Sequence, residues 1–123
     1  MSQRFPKSNR LRKSPEFQRV YQLARRWGDA RILMFARRNG LPDTRLGLSV
    51  SRRFGGSVQR SRIKRLLREA FRLSMAQLPR GLDLIVIPRQ GIAPTLEELR
   101  LSLREACRHL ERKLSRGVSA GEE

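Results

Sequence analysis

Apolar residues recur at helical spacing between Ser57 and Arg72, and this is the most regular pattern in the chain. From Ile63 onward the apolar positions follow at alternating steps of three and one. That spacing sets them on one stripe of a helix with about 3.6 residues per turn. The stripe consists of Ile63, Leu66, Leu67, Ala70 and Phe71. We therefore predict a helix over 57–72 that packs on a core through this stripe.

Two further segments carry apolar residues on one helical face. The first begins at residues 14–16 (Ser-Pro-Glu), a helix start signal, and residues 27–29 (Trp-Gly-Asp) break it. We expect this helix to run over about 14–26. The second follows Thr95, which we expect to cap a helix with two acids in its first turn. Its core stripe consists of Leu96, Leu99, Leu103, Cys107, Leu110 and Leu114.

Three segments have the composition of strands. Residues 31–37 are apolar and end in charge, and residues 45–52 alternate leucine or valine with glycine or serine. Turn formers at 39–43 join these two segments, so we expect them to pair as antiparallel neighbours. Residues 82–87 are almost continuously apolar, which indicates a buried strand. The helix before this last strand makes a crossover, so we expect it to run parallel to the 45–52 strand.

The predicted order is α-β-β-α-β-α in a single domain over residues 14–116. We expect an α/β (α+β) sandwich, in which helices pack on one small sheet of three or four strands. Residues 1–13 are basic without a clear period and are interpreted as a flexible arm. Residues 117–123 are interpreted as a disordered tail.

Basic residues outnumber acidic residues by 28 to 11, which gives a formal charge of +17. Self-repulsion at this charge disfavours the compact state unless a polyanion offsets it. Arginine accounts for 24 of the basic residues, and its planar guanidinium matches phosphate in two-point contacts and stacks on bases. The composition therefore favours a nucleic acid over a membrane surface as the partner, since no amphipathic segment has an aromatic anchor face.

The predicted 57–72 helix concentrates this charge beside its apolar stripe. It holds six basic residues and one acid, Glu69, and like charges four residues apart repel each other in an isolated helix. The basic residues are Arg60, Arg62, Lys64, Arg65, Arg68 and Arg72. A solvated face is the simpler interpretation, but this density favours a polyanion as ligand. The preceding Gly55-Gly56 leaves N–H groups open, either for a phosphate or merely in a tight connection.

The residues of common protein catalytic sites do not form recognisable patterns. The acids are scattered, and the single histidine, His109, lies on a helix with a structural pattern. No P-loop, nucleophile elbow or dinucleotide fingerprint is present. We therefore expect no metal site and no catalytic residue in the protein itself. Cys107 is the only cysteine, and without a signal peptide or a long apolar run we expect a cytoplasmic protein.

The stretch from Arg45 to Arg72, RLGLSVSRRFGGSVQRSRIKRLLREAFR, resembles the signature region of the bacterial ribonuclease P protein component. The family motif is Arg-Asn-Arg, then Ile-Lys-Arg-Leu and Arg-Glu, and residues 60–69 read Arg-Ser-Arg-Ile-Lys-Arg-Leu-Leu-Arg-Glu. Residues 10–21 are also similar to the family, and the resemblance spans almost the whole chain. Ser61 replaces the central Asn of the motif, and Gly56 stands where the family often has Asn. Ser61 keeps a hydroxyl but lacks the paired donor and acceptor of an amide.

The resemblance implies a fold detail and a function that the residue patterns do not give. The basic helix would lie in a left-handed crossover, contrary to the usual right-handed rule. The protein would be the non-catalytic subunit of an endoribonuclease, ribonuclease P, whose RNA subunit performs the catalysis. With Mg²⁺, that RNA removes the 5′ leader of precursor tRNA. The partners would be the catalytic RNA and precursor tRNA, with one protein per RNA and no membrane.

Two binding surfaces also follow from the resemblance. One would contact the RNA subunit, through Arg52, Arg53, Arg60, Ser61, Arg62, Lys64, Arg65, Arg68 and Arg72. The other would be a cleft between the first helix and the sheet that stacks on the single-stranded leader. Its stacking residues would be Phe17 and Tyr21, with Arg31, Phe35 and Ser49 as further lining. The alternative function is a structural RNA-binding protein of the ribosomal-protein type, and a protein-only metal nuclease is a third that the scattered acids disfavour.

Overall fold

The computed structural model describes residues 10–11 and 14–115 of the chain. The helices are α1 (Ser14–Leu23), α2 (Ser57–Ser74) and α3 (Leu96–Ser115). The strands are β1 (Arg25–Gly28), β2 (Ile32–Arg38), β3 (Arg45–Leu48) and β4 (Leu82–Pro88). Short 3₁₀ turns at Arg52–Phe54 and Met75–Gln77 flank α2. The elements follow along the chain in the order α1-β1-β2-β3-α2-β4-α3.

The four strands form one sheet in the order β1-β2-β4-β3. β4 runs antiparallel to β2 and parallel to β3, to which α2 connects it. The predicted α+β sandwich is thereby confirmed. The strands that precede and follow the basic helix in the chain are parallel, as predicted. The hand of that crossover stays a prediction.

The predicted antiparallel pairing of the 31–37 and 45–52 strands is wrong, because β4 lies between β2 and β3. Leu84 of β4 is the partner of Ala36 on one side and of Leu46 on the other. Five consecutive residues of β4, from Leu82 to Val86, are buried. Such a strand is stable only in the sheet interior, with neighbours on both sides. The turn at 39–43 reverses the chain, but burial decides which strands become neighbours.

An edge strand stands where the sequence predicted the end of the first helix. The helix stops at Leu23, and β1 pairs antiparallel with β2. Two arginines, a tryptophan and a glycine give no strand pattern, which is why β1 was missed. Its stabilising contact is distant in sequence, since the Trp27 ring stacks on His109 of α3 at a centroid distance of 5.7 Å.

The two faces of the sheet bury separate clusters. α2 and α3 cover one face, where Leu67 and Leu103 pack against sheet residues such as Leu84. α1 covers the other face, where Val20 packs against Ile85. Successive residues of β4 therefore point to opposite clusters, as strand geometry requires.

Residues 10 and 11, which the sequence placed in the flexible arm, belong to the folded part of the chain. The Leu11 N–H donates to the Leu46 carbonyl at 2.9 Å, and the Leu11 side chain is buried against the α1 side of the sheet. The other residues of the predicted arm, and the predicted tail at 117–123, lie outside the described residues. Among the helices that are described, none has the length and apolar character needed to cross a membrane.

Candidate nucleic-acid interface

α2 buries its apolar stripe and turns its cations outward. Ile63, Leu67 and Phe71 are buried in the main core, as the spacing predicted. Arg62, Arg65 and Arg68 are exposed. The helix therefore docks through one side and presents a positively charged surface on the other.

The outward cations of α2 line a groove of about 410 Å³, which we name the basic groove. Its lining residues are Arg10, Ser61, Lys64, Arg65, Arg68, Glu69 and Arg72. The single acid among them, Glu69, forms an ion pair with Arg72 one turn further along the helix. The groove thus keeps a net positive charge and suits a phosphate backbone.

Arg10 and Arg68 bring two positive charges together in the basic groove. Burial first, and then the charge of Arg10, lower the pKa of the Arg68 guanidinium. An anion placed between these groups would offset their repulsion. A parallel bridge between Arg10 and Leu46 holds Arg10 at the sheet edge. Sequence reasoning missed Arg10 as a site residue, and its only signal was its place in the family-like stretch at 10–21.

The remaining predicted RNA-contacting residues lie around the basic groove. Arg62 lines a neighbouring recess of about 330 Å³ together with Ser61 and Arg65. Arg52 and Arg53 are exposed on the 3₁₀ turn before α2. Arg60 is half-buried, and its Nε is enclosed without a hydrogen-bond partner among the described residues.

The two glycines before α2 allow a close approach by Gln59. A Cβ on Gly55 would lie 3.0 Å from Gln59 Cβ, and a Cβ on Gly56 would lie 3.0 Å from Gln59 Oε1. This contact supports the tight connection that the sequence suggested. A phosphate at the N-terminus of α2 stays a prediction.

On the opposite face of the sheet, α1 lies over the row formed by Gly47, Ile85 and Phe35 of β3, β4 and β2. Phe17 covers Gly47 so closely that a Cβ there would lie 2.7 Å from Phe17 Cζ. Tyr21 is 40% exposed, and its ring packs against the Phe35 ring in a T-shaped arrangement with the two centroids 5.0 Å apart. We name this region the aromatic cleft.

The aromatic cleft brings three of its five predicted residues into one packed group, and a fourth lies on the same side of the sheet. Phe17, Tyr21 and Phe35 lie together there, and Ser49 follows Gly47 by two residues on the same side of the strand. The Ser49 N–H still donates to the Val86 carbonyl at 3.0 Å, so the chain keeps strand geometry beyond the last residue of β3.

Arg31, the fifth predicted residue, is not brought into the aromatic cleft. Its Nη1 donates to Ser102 Oγ at 3.2 Å, and its Nη2 lies 3.5 Å from Glu98 Oε2. Both partners lie on α3, which packs on the face of the sheet opposite α1. The predicted role of Arg31 in leader binding therefore has no support in the geometry, because partners about seventy positions later in the chain hold its side chain.

Asp29 fixes the backbone next to Arg31. Its Oδ1 accepts hydrogen bonds from the N–H groups of Arg31 and Ile32, both at 2.8 Å, and its Oδ2 accepts one from Ser102 Oγ at 2.6 Å. Burial acts to raise the pKa of Asp29, but these hydrogen bonds hold it below its ordinary value. Asp29 thus stays ionised and ties the β1–β2 turn to α3.

Asp83 organises two arginines on the same sheet face as the aromatic cleft. Arg45 donates to its two oxygens from Nε and Nη2, both at 2.8 Å, and Asn39 Nδ2 donates at 2.9 Å. Arg37 Nη2 lies 3.5 Å away. Burial acts to raise the pKa of Asp83, but the bonds from Arg45 and Asn39 hold it below its ordinary value.

The described residues contain no group of three or more His, Cys, Asp or Glu side chains that could hold a metal ion. Burial in the core raises the pKa of the Cys107 thiol to about 12, which keeps it protonated and unreactive. His109 is occupied in the stack on Trp27. These groups serve packing, and the chemistry that the surface offers is charge and stacking.

Comparison with known proteins identifies relatives that match most of the chain and share its fold. A family model described as Ribonuclease P matches residues 5–112. The ribonuclease P protein component of Oleidesulfovibrio alaskensis is 38% identical over 99 residues, which cover 79% of each chain.

Solved structures agree with this match. The RNase P protein from Thermotoga maritima superposes with a TM-score of 0.67 at 31% identity, over 84% of this chain and 96% of that one. A Staphylococcus aureus RNase P protein mutant, described as having defective mRNA degradation activity, superposes with a TM-score of 0.69 at 28% identity. That match covers 89% of this chain and 90% of the other.

Proposed function

This chain belongs to the ribonuclease P protein family, and from that premise we propose that it is an RNA-binding subunit of ribonuclease P with two separate RNA surfaces. The observation that carries the proposal is the basic groove. The helix that holds the family motif buries its apolar stripe and turns its cations into a groove of about 410 Å³. The other surface is the aromatic cleft, on the opposite side of the sheet.

The basic groove would bind the catalytic RNA subunit through its phosphates. Arginine and lysine side chains that neutralise phosphates release counter-ions, which drives association at low salt. Each phosphate contact should then contribute about 0.7 to the slope of log affinity against log salt on a single strand, and about 0.9 on a duplex. Structured RNA offers the phosphate density that the charge of +17 requires.

The aromatic cleft would hold the 5′ leader of precursor tRNA. A leader without a partner strand has unstacked bases, and each base stacked on an aromatic ring gains about 1–3 kcal/mol. Tyr21 offers an exposed ring for such a stack, and Phe35 supports it from the side. Phe17 is more enclosed, so we assign it chiefly to shaping the cleft over Gly47.

We assign the hydrolysis to the RNA subunit and its Mg²⁺. The described residues of the protein offer no carboxylate or histidine cluster that fits a metal ion, and we assign none of them a metal-dependent role. The protein's part would be to screen phosphate repulsion and to position the leader. The complex would hold one protein per RNA.

The decisive experiment is precursor-tRNA cleavage with a bacterial ribonuclease P RNA at about 2 mM Mg²⁺, a low concentration at which lost phosphate screening becomes visible. It is run with RNA alone, with RNA and protein, and with protein alone. We expect cleavage at the mature 5′ end only when both are present. Absence of any stimulation by the protein would contradict the proposal.

The protein-alone reaction also tests two other functions. Cleavage without RNA would indicate a nuclease site in the chain itself. An mRNA substrate belongs in this reaction because one S. aureus relative is a mutant described as having defective mRNA degradation activity. The ribosomal-protein type of function predicts instead that the protein co-purifies with ribosomal subunits. Recovery of the protein with the ribonuclease P RNA would argue against it.

A further inference from the structure

We propose that an apolar recess beside the N-terminal half of α2 binds one unstacked nucleobase of the catalytic RNA. The recess has a volume of about 210 Å³ and lies between α2, the 3₁₀ turn before it and the loop before α3. Its apolar walls are Phe54, Ile63, Leu66, Ile92 and Pro94. The proposal rests on the proposed function and adds a base-binding site to the phosphate contacts of α2.

The recess stands out because it is apolar within a strongly basic surface. Arg62 lines both this recess and the neighbouring one that Ser61 and Arg65 share. An RNA strand alternates phosphates with bases, so a phosphate held at Arg62 would place the attached base within reach of the apolar walls. The exposed Val58, 66% accessible, adds apolar surface in the neighbouring recess. Charge and apolar surface therefore meet at one residue, Arg62.

The polar groups of the recess suit the edge of a base. Gln59 lines it with an amide that can donate and accept, and Arg62 adds guanidinium donors. A base has an apolar face for the walls and a hydrogen-bonding edge for these two groups. Proteins recognise single-stranded loops and bulges of RNA by taking up such splayed bases. Acidic peptides would satisfy Arg62 but would leave the apolar walls without a matching group.

The loop that forms one wall of the recess is held at both ends. At its start, the Arg89 N–H donates to the Arg31 carbonyl at 2.9 Å. At its end, Thr95 and Glu98 form a capping box, in which the Thr95 N–H donates to Glu98 Oε1 at 2.9 Å and the Glu98 N–H donates to Thr95 Oγ1 at 3.1 Å. A wall fixed in this way loses little conformational entropy when a base enters.

The test fills the recess and measures the affinity of the full-length protein for a bacterial ribonuclease P RNA at several salt concentrations. Ala93, an exposed residue of the loop, lines the recess, and Ala93→Trp should block it. We expect about tenfold weaker binding, the loss of one stacked base. The slope against salt should stay unchanged, because a base carries no counter-ions to release.

Two matched variants define the comparison. Ala76 is another exposed alanine, and it lines a different recess beyond the C-terminal end of α2. The Ala76→Trp variant should bind the RNA as tightly as the wild-type protein. Arg65→Ala should lower the salt slope by about 0.7, as expected for a phosphate contact. Thermal melting of each variant, followed by circular dichroism, checks that the fold is retained.

A second measurement needs no variant. Ultraviolet irradiation of the wild-type complex should join one unpaired nucleotide of the RNA to the tryptic peptide of residues 90–100, which contains the loop. Wild-type affinity for Ala93→Trp, or a loss accompanied by a smaller salt slope, would overturn the proposal. So would a cross-link to this peptide that forms only with precursor tRNA. Failure of the wild-type protein to bind the RNA at all would instead contradict the proposed function.

Discussion

The basic groove and the aromatic cleft lie on opposite sides of one sheet, and they are assembled in different ways. Apart from Arg10, every described residue that lines the groove lies on α2. The cleft combines Tyr21 of α1 with Phe35 of β2 and Gly47 of β3. One helix brings residues three and four positions apart to the same side by its own geometry. Residues from three elements meet only after the sheet and α1 have packed.

The two surfaces also differ in the forces they offer. The groove acts through charge, which reaches several ångströms and is screened by salt. The cleft acts through stacking, which needs contact and depends little on salt. Salt dependence can therefore separate the two surfaces in an experiment. The comparison teaches that one small domain can present two surfaces that would bind RNA by independent means.

The largest expected effect is on the stability of the fold, at the sheet face that carries the aromatic cleft. Asp83→Asn leaves Arg37 and Arg45 without their shared carboxylate on the α1 face of the sheet. Breaking a buried ion pair in this way should lower the free energy of unfolding by about 3 kcal/mol. Urea denaturation followed by circular dichroism measures the change. An unchanged midpoint would mean that the Asp83 cluster does not hold this face together.

The pH dependence of stability should show the contribution of the same carboxylate in the wild-type protein. The folded pKa of Asp83 lies below its ordinary value, so the group stabilises the fold above about pH 4, and this is lost as the pH falls through the folded pKa. We expect the free energy of unfolding to fall more steeply below about pH 4 in wild type than in Asp83→Asn. Parallel pH profiles for the two proteins would rule this out.

A double change in α2 should weaken binding to the RNA subunit without affecting the aromatic cleft. Arg62→Ala with Arg65→Ala removes two cations that line adjoining recesses. We expect about 30-fold weaker binding to the RNA subunit and a salt slope smaller by about 1.4, from two lost phosphate contacts. Discrimination between precursor tRNA, which carries a leader, and mature tRNA should persist. If that discrimination disappears as well, the two surfaces are not independent.

A change in the cleft should have the opposite profile. Tyr21→Ala removes the exposed ring that meets Phe35. We expect the holoenzyme to bind precursor tRNA with a leader about fivefold more weakly, which corresponds to one lost stack of about 1 kcal/mol. Mature tRNA should bind unchanged. Tyr21→Phe is the control, and it should behave as wild type because it keeps the ring.

Arg10→Ala should have a smaller effect, in the groove. Removing this charge relieves the repulsion on Arg68 but also removes a cation from the groove wall. We expect about threefold weaker binding to the RNA subunit, with a salt slope smaller by about 0.7. Arg19→Ala, an exposed arginine of α1, serves as the control. Equal losses in both variants would indicate that total charge, and not the place of Arg10, matters.

The smallest effect is expected for Arg31. Its side chain is bound to Ser102 and lies beside Glu98 on α3, away from the aromatic cleft. Arg31→Ala should therefore leave leader binding by the holoenzyme within about twofold of wild type, because the side chain that is removed is held on α3 and its exposed ion pair adds little to the stability of the fold. A loss of leader binding as large as that expected for Tyr21→Ala would show that Arg31 does contribute to the aromatic cleft.

Much of the fold could be predicted from the sequence where it depends on interactions between residues that are close together in the chain. The helix over 57–72 and its buried stripe appear at Ser57–Ser74, and the cap at Thr95 starts α3 with a reciprocal bond to Glu98. The apolar run at 82–87 became the fully paired strand β4. The cations of α2 face outward because the apolar stripe must face the core. Each of these depends on local periodicity or a local hydrogen bond.

The sequence by itself therefore determined the helices α2 and α3, the buried strand, the excess of positive charge and the family motif. The tertiary structure decided that β4 separates β2 from β3, that β1 is a strand, that Arg10 joins the groove and that Arg31 turns to α3. The physical reason is distance along the chain. Periodicity records which side of an element is apolar, but only burial and pairing in the folded chain choose which distant element that side meets.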